Sequence, residues 1–460
     1  MHARKGVGGP QLLSDVARSD VAIVGCGPVG ALLANLLGQA GLAVDIYDRD
    51  RDIYPLPRAV HFDGEVMRIF QAAGLADEIA AAARSSSQGM HFVNAAGRTL
   101  MIRRGIEGPG PHGWANNWYF HQPALEEILR RGLVRFPNVA LHLGHEVADL
   151  DALPARYVVG CDGARSLVRR AIGSKPHDLG LHQPWLVVDL LCDPASLRVQ
   201  ALPDYTVQLC DPARPMTMVN VGGRRRRWEI MLMPGDDPAR LTEPGIFWPM
   251  MARWLGPADA RLERAAVYTF HSVVQVGWRQ GRLLLAGDSC HQTPPFLGQG
   301  MCAGMRDASN LAWKLAAILQ SGGDDALLDT YESERRPHVQ AFIDLAVKLG
   351  AILQETDPAK AAERDRRFEA GAEIFDFPQP GLGGTTPPVG TIFPQPRLGD
   401  GRLMDEAIGQ RFAIVGEVDL LKHLRPDAVL LPGVGREWLA GKKVRAALLR
   451  PDRYVQAVAP

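Results

Sequence analysis

Three short stretches of this chain combine glycine with an acid or a helix start in ways that suit an anionic cofactor. The first is Gly25-Cys26-Gly27-Pro28-Val29-Gly30, with Asp48 lying 48 − 25 = 23 positions on. The second is Gly160-Cys161-Asp162-Gly163, flanked by Arg165 and Arg169. The third is Gly287-Asp288, followed by Pro294-Pro295 and then by Gly298-Gln299-Gly300-Met301-Cys302. Glycine lets backbone N–H groups approach a phosphate closely, and a helix starting there adds unsatisfied donors and partial positive charge. An acid about 20 residues after the first glycine suits the hydroxyls of an adenosine ribose. Such turns serve a dinucleotide, but their spacing does not separate a flavin from a nicotinamide dinucleotide.

Each turn must be presented by a strand that ends and a helix that begins. Residues 21–24 form an apolar strand before the first turn, a helix follows to about Ala40, Gly41 ends it, and residues 43–47 form the next strand, closing with Asp48. That is a βαβ unit. Residues 156–159 and 283–286 are apolar runs of strand length ahead of Asp162 and Asp288, acids placed where α/β sheets bind ligands. Beyond Gly300, the apolar residues Ala308, Leu311, Leu315 and Ile318 step by 3, 4 and 3, the pattern of a one-faced helix. Arg58 lies in a loop ahead of a helix over 65–73, and Gln122 lies close to the start of a helix over 124–131. Arg58 could hold a cofactor phosphate or be a solvated loop cation. His291 reads as a candidate proton acceptor or as structural support for the Asp288 turn.

Between Pro184 and Ser272 the pattern changes to short runs over 185–191, 205–209, 216–221 and 228–232, the signature of an inserted antiparallel sheet. Arg224–Arg227 falls between two of these runs and reads as a solvated hairpin turn rather than a substrate-carboxylate site. Residues 378–396 are rich in Pro and Gly and read as a linker. The tail from Arg402 holds strand candidates at 411–415, 428–431 and 444–449 and no cysteine, so its role is not thiol chemistry.

A length of 460 residues calls for two or three domains. Lys plus Arg (51) equals Asp plus Glu (51), so no global field recruits nucleic acid, and no apolar run is long enough for a membrane span. The N-terminal residues lack the apolar core of a signal peptide and read as a loose tail. Six scattered cysteines without a CxxC pair read as reduced thiols of a cytoplasmic protein, with no ligand cluster for a zinc site.

The three turns in this order, separated by an inserted sheet, resemble the group A FAD-dependent aromatic hydroxylases of the p-hydroxybenzoate hydroxylase fold, over about residues 20–350. The segments QPWLVVDLL, RRWEIMLMPGDDP and HQTPPFLGQGMCAGMRDASNLAWKL are similar to those of the 3-(3-hydroxyphenyl)propanoate/3-hydroxycinnamate hydroxylases. Three features depart from that pattern: Asp48 stands where Glu is usual, the chain between Val147 and Arg156 is short, and the tail is compact.

The resemblance implies an α/β fold. A Rossmann-like FAD-binding domain (20–183 and 273–376) would follow a flexible tail (1–19) and carry an inserted antiparallel-sheet substrate domain (184–272). A linker (377–397) would lead to a small thioredoxin-like C-terminal domain (398–460). It also implies FAD as cofactor, NADH or NADPH as a co-substrate bound transiently at the surface, and O₂ and a phenol as substrates, with an apolar sheet face keeping the pocket dry and a homodimer possible. Carried over by motif position, Gly25, Gly27, Gly30, Asp48, Arg49, Arg58, Gln122, Asp162, Gly163, Gly287, Asp288 and Gly298 would bind FAD. Pro295 would lie beside the flavin, with Gly300, Met301 and Cys302 presenting backbone N–H groups to it. The expected reaction is hydroxylation ortho to the phenolic hydroxyl. The alternatives are hydroxylation of a larger polyketide-type phenol and a flavin-binding regulator that does not turn over. A flavin halogenase is disfavoured, since no WxWxIP-like segment is present.

Overall fold

A computed structural model of the protein describes residues 19–371 and 380–460. The expected tail lies outside the described residues except for Ser19, as does 372–379, where the first domain was expected to end and the linker to begin.

The β-branched and apolar strands expected around the three turns assemble into one six-stranded sheet. Its order is Arg279–Gln280, Leu283–Leu285, Ala155–Gly160, Ser19–Val24, Val44–Asp48, Val139–Leu143. All neighbours pair in parallel except the first two. Parallel strands must be covered on both faces. Helices Pro28–Gln39 and Gly300–Ser321 supply part of that cover, and Ala308, Leu311, Leu315 and Ile318 are all buried, as their spacing requires. The order places the carboxyl ends of Ser19–Val24, Ala155–Gly160 and Leu283–Leu285 side by side, so three turns distant in sequence become neighbours. The short connection after Leu143 adds no strand to the sheet. Arg282 holds it by donating to the carbonyl oxygens of Leu150 (2.7 Å), Leu153 (3.2 Å) and Ala155 (2.8 Å).

A second sheet has eight strands, in the order His291–Gln292, Ala260–Val276, Lys175–Cys192, Arg225–Met231, Met216–Gly222, Thr206–Cys210, Met90–Asn94, Thr99–Arg103. It is antiparallel apart from the Thr206–Cys210/Met90–Asn94 pair, and it draws two strands from well upstream of Pro184. Its outer face, with Leu186, Val188, Trp228 and Ile230, packs under helix Pro244–Met251. Its other, inner face carries Phe92, Trp185 and Cys210, which pack on Phe296 and on helix Asp329–Leu353. The C-terminal module carries four strands in the order Val429–Pro432, Ala413–Gly416, Ala446–Leu449, Val455–Ala459, the first pair parallel and the others antiparallel. This is the strand arrangement of a thioredoxin-like unit. Its buried Asp405 meets Arg68 of helix Gly64–Ala72 (2.6 Å) and Arg453 (3.0 Å).

Candidate active site

The three glycine turns touch one another at the carboxyl ends of their strands, the place where such sheets open a ligand crevice. Gly25 has φ +102°, and a Cβ there would lie 2.4 Å from the Cys161 carbonyl oxygen, so only glycine allows the first turn to touch the second. Cβ atoms added at Gly287 and Gly304 would meet the Val29 side chain at 3.1 and 2.6 Å, which seats the third turn against the first helix. The Gly160 carbonyl accepts from the Ala286 N–H (3.0 Å) and the Ser289 hydroxyl (2.7 Å), and Arg169 donates to the Ser289 carbonyl (3.1 Å).

Donors of the kind an anion needs face this crevice. Helix Pro28–Gln39 starts from Gly27 with no side-chain cap and no acid in its first turn, and helix Gly300–Ser321 starts from Gln299 in the same way. Their first-turn N–H groups therefore remain available to a ligand, and the partial positive charge of each terminus is uncompensated. A Cβ added at Gly27 would meet nothing within 4 Å, which leaves room for a pyrophosphate.

The acids behave differently from one another. Asp48 accepts from the N–H groups of Cys26 (2.7 Å) and Asp50 (2.9 Å). Asp162 accepts from the Leu167 N–H (2.6 Å) through one oxygen, while its other oxygen is buried without a partner. That orphan fits an absent hydrogen-bonding group. Asp288 reaches solvent yet sits deep among protein atoms, and this desolvation raises its pKa, against the pull of His291 and Arg58.

Other expected residues fall around the same crevice with varied partners. Gln122 accepts from the N–H groups of Arg58 (2.8 Å) and Ala59 (2.7 Å), so its direct role is to hold that loop. The Arg58 guanidinium is exposed, 4.9 Å from the Tyr54 ring centre, and Arg49 stands in solvent 3.7 Å from Asp50. Gly163 (φ +72°) opens onto empty space, and Gly298 (φ +64°) lies against His61. Pro295 is half-buried on the short turn Pro295–Leu297, and Met301 is half-buried behind it. The Cys302 thiol is fully buried, 3.5 Å from the Gly298 carbonyl oxygen, and burial pushes its pKa upward, so its usable group is the backbone N–H.

Several site residues escaped the sequence reading. Arg130 donates to the Cys26 carbonyl (3.1 Å) and lies 3.9 Å from Asp48. Its signal was available, because Gln122, Glu126 and Arg130 recur every fourth residue on one helix face. Arg306 binds Asp63 and Glu65, each at 2.7 Å, fixing the His61–Asp63 strand beside Gly298. Asp307 accepts from the Gly287 N–H (3.1 Å) and Arg335 (2.9 Å) and lies 2.6 Å from His291, which gives His291 the structural role. Cys290, His291 and Asp307 lie close enough to hold a metal, but the Arg335 guanidinium already supplies the positive charge there.

The inner face of the eight-stranded sheet meets the Pro57–Arg58 and Pro295–Leu297 segments and departs from expectation in two ways. Gly222 and Gly223 make the hairpin turn, and Arg225–Arg227 belong to the strand after it. Strand alternation turns Arg227 inward opposite Asp189, where it is fully buried, 2.7 Å from that acid, and donates to the Arg58 carbonyl (2.7 Å) and the Pro57 carbonyl. It is therefore no solvated turn residue. The roof is also buried without being apolar: Gln208, Thr217 and Glu229 lie side by side across three strands. Arg103, on the same face, faces Asp63, Tyr119 and Cys302 electrostatically.

A protein-family model described as "FAD binding domain" matches residues 18–153 and 148–346. The chain is 36% identical over 493 residues to a probable NADH-specific resorcinol 4-hydroxylase of Rhodococcus jostii (strain RHA1), covering 96% of this chain and 92% of that protein. It is 32% identical over 515 residues to a 3-(3-hydroxy-phenyl)propionate/3-hydroxycinnamic acid hydroxylase of Escherichia coli (strain SMS-3-5 / SECEC), covering 95% and 91%. Among solved structures it resembles aklavinone-11 hydroxylase in a ternary complex with FAD and aklavinone, with TM-score 0.75, 22% identity and coverage of 96% and 95%.

Proposed function

The chain belongs to the FAD-binding domain family, and from that premise we propose that it is an FAD-dependent monooxygenase that hydroxylates a phenol at the carbon ortho to its hydroxyl. The observation that carries this reading is the convergence of three glycine turns and two uncapped helix N-termini, with Asp288 on the third turn. The balanced reaction consumes one phenol, one O₂, one NAD(P)H and one proton, and yields a dihydroxylated ring, water and NAD(P)⁺.

Bound FAD supplies hydride acceptance from NAD(P)H and the activation of dioxygen, which side chains cannot perform. Gly27, Val29 and Gly30 would hold the pyrophosphate, Asp48 the ribose, and Asp162 and Asp288 other polar groups of the cofactor. Backbone N–H groups of Gly300, Met301 and Cys302 favour negative charge against them, by about 0.3–2 kcal/mol from the helix dipole. The roof keeps water from the reacting carbon by burial.

The two hydroxylases resembled in sequence point to a single-ring phenol, 3-(3-hydroxyphenyl)propanoate, 3-hydroxycinnamate or resorcinol. No helix among the described residues is long and apolar enough to cross a membrane, and six unpaired cysteines suit the reducing cytoplasm that supplies NAD(P)H. The test is NADH and NADPH oxidation by the FAD-loaded protein with each of these phenols, with mass spectrometry of the product. A flavin-loaded protein whose NAD(P)H oxidation no phenol stimulates would be a binding protein instead.

A further inference from the structure

The inner face of the roof is divided into rows by its register, and two of those rows are anchored to known points of the crevice. One row contains Trp185 and Met231, which are paired; Trp185 packs on Phe296, ring centres 5.7 Å apart, directly after Pro295. The other contains Asp189, Arg227 and Arg264, and its two guanidiniums hold the Pro57 and Arg58 carbonyls. Between them runs a single row: Gln208, Thr217, Glu229, Val187 and Ala266, each the cross-strand partner of the next. Neighbours in a row share a face of the sheet. This middle row therefore spans the gap between the Arg58 loop and the Pro295 loop, the two segments that would flank the flavin.

Within that row Thr217 donates to Gln208 (2.6 Å), which leaves Glu229 as its one charged member. Glu229 is nine-tenths buried, yet among the described residues no hydrogen bond reaches its carboxylate, and its nearest cation, Arg227, is 3.9 Å away. Arg227 is already committed to Asp189 and to two carbonyls. The Glu229 side chain is buried, but its carboxylate oxygens are not sealed in, so the head opens from the row onto space where a ligand can supply a donor.

We propose that Glu229 is the residue that receives the proton of the substrate's phenolic hydroxyl, which rests on the phenol hydroxylase reading given above. The O–H bond breaks, its electron pair stays on the phenolic oxygen, and the proton passes to a Glu229 carboxylate oxygen. The ring carbon ortho to that oxygen is then more electron-rich and ready for oxygen transfer. The proton lost from that carbon when the ring regains aromaticity balances the step. Burial first, and Asp189 second only to the opposing pull of Arg227, shape the Glu229 pKa, which ends above the ordinary carboxylate range with Arg264 also pulling it down. A base poised nearer neutrality suits this transfer. His121, from the segment before helix Gln122–Leu133, faces the same Asp189–Arg227 pair, and Arg103 is a further cation of the inner face beside Arg227 and Arg264.

The test uses FAD-loaded wild type, Glu229→Gln and Glu229→Asp with 3-(3-hydroxyphenyl)propanoate and with resorcinol, measuring product formed per NADH, the pH profile of kcat, and bound flavin. Glu229→Gln should bind FAD as wild type does but form product about 100-fold more slowly, with more NADH diverted to hydrogen peroxide. Wild type should lose kcat as the pH falls through an acid limb that Glu229→Gln lacks, and Glu229→Asp should restore both limb and coupling in part. Product formation by Glu229→Gln within about threefold of wild type, with the acid limb intact, overturns the assignment. If Glu229→Gln does not fold, the wild-type profile decides, and a kcat without an acid limb overturns it. Turnover by wild type with an unaffected variant sinks this inference alone, whereas no phenol-stimulated turnover by wild type sinks the functional reading with it.

Discussion

Replacing Gly27 by serine separates cofactor binding from folding. Gly27 caps the first helix at φ −73°, ψ −174°, an extended conformation open to any residue, and no heavy atom lies within 4 Å of an added Cβ. Serine is among the best N-cap residues, so the apoprotein should keep its stability or gain a few tenths of a kcal/mol. Its hydroxyl, however, would take up the Val29 or Gly30 N–H that the pyrophosphate needs, and its bulk would stand in the phosphate's approach. One charge-assisted hydrogen bond is worth about 1.5–3 kcal/mol, which corresponds to a roughly 10–150-fold rise in the Kd for FAD. Gly25→Ala is the contrasting variant: with φ +102° and a Cβ 2.4 Å from the Cys161 carbonyl oxygen, it strains the fold itself. It should cost at least about 1–3 kcal/mol before any cofactor is added. The assay is quenching of flavin fluorescence on titration, beside thermal unfolding of each apoprotein. Gly27→Ser binding FAD as tightly as wild type would refute the placement of the pyrophosphate.

Cys302→Ala should retain FAD and turnover within about twofold, because a buried, protonated thiol is inert and the N–H is unchanged; flavin content and kcat check this. Asp189→Asn should destabilise by about 3–5 kcal/mol in urea unfolding, since it leaves Arg227 and Arg264 buried without their shared acid. Asp405 has its carboxyl held at about 2 rather than the ordinary 3.8, the Arg68 and Arg453 guanidiniums outweighing the opposite effect of burial. A depressed folded pKa gives stability that is full above the unfolded value and lost below it. Docking of the C-terminal module should therefore weaken by about 2 kcal/mol as the pH falls from about 4 to about 2. Protease sensitivity of that module against pH checks it.

The sequence was most informative where structure is local. The βαβ unit at Gly25, the helix after Gly300 and the strand-end acids Asp162 and Asp288 each follow from a turn and a periodicity within a few residues. The roof was harder to read because its face is decided by pairing partners far apart. Arg227 looks solvated in a run of four arginines, and only Asp189, across the strand pair, makes its burial tolerable. The alternation Arg225, Arg227, Glu229, Met231 against Arg226, Trp228, Ile230 carried part of that information. The Asp307–Arg335 pair lies 28 residues apart on two helices and has no local signature. Cys302 shows the converse, a conspicuous residue in the motif whose side chain the fold puts out of use.

The most direct test of the central claim is a crystal structure of the protein with FAD and a bound phenol. The pyrophosphate should lie at the Gly27–Gly30 helix start and the tricyclic ring between the Arg58 and Pro295–Cys302 segments. The phenol should lie on the far side of that ring, beneath the Gln208–Thr217–Glu229 row. A flavin seated away from any one of the three glycine turns, or a ring facing away from that row, would contradict it.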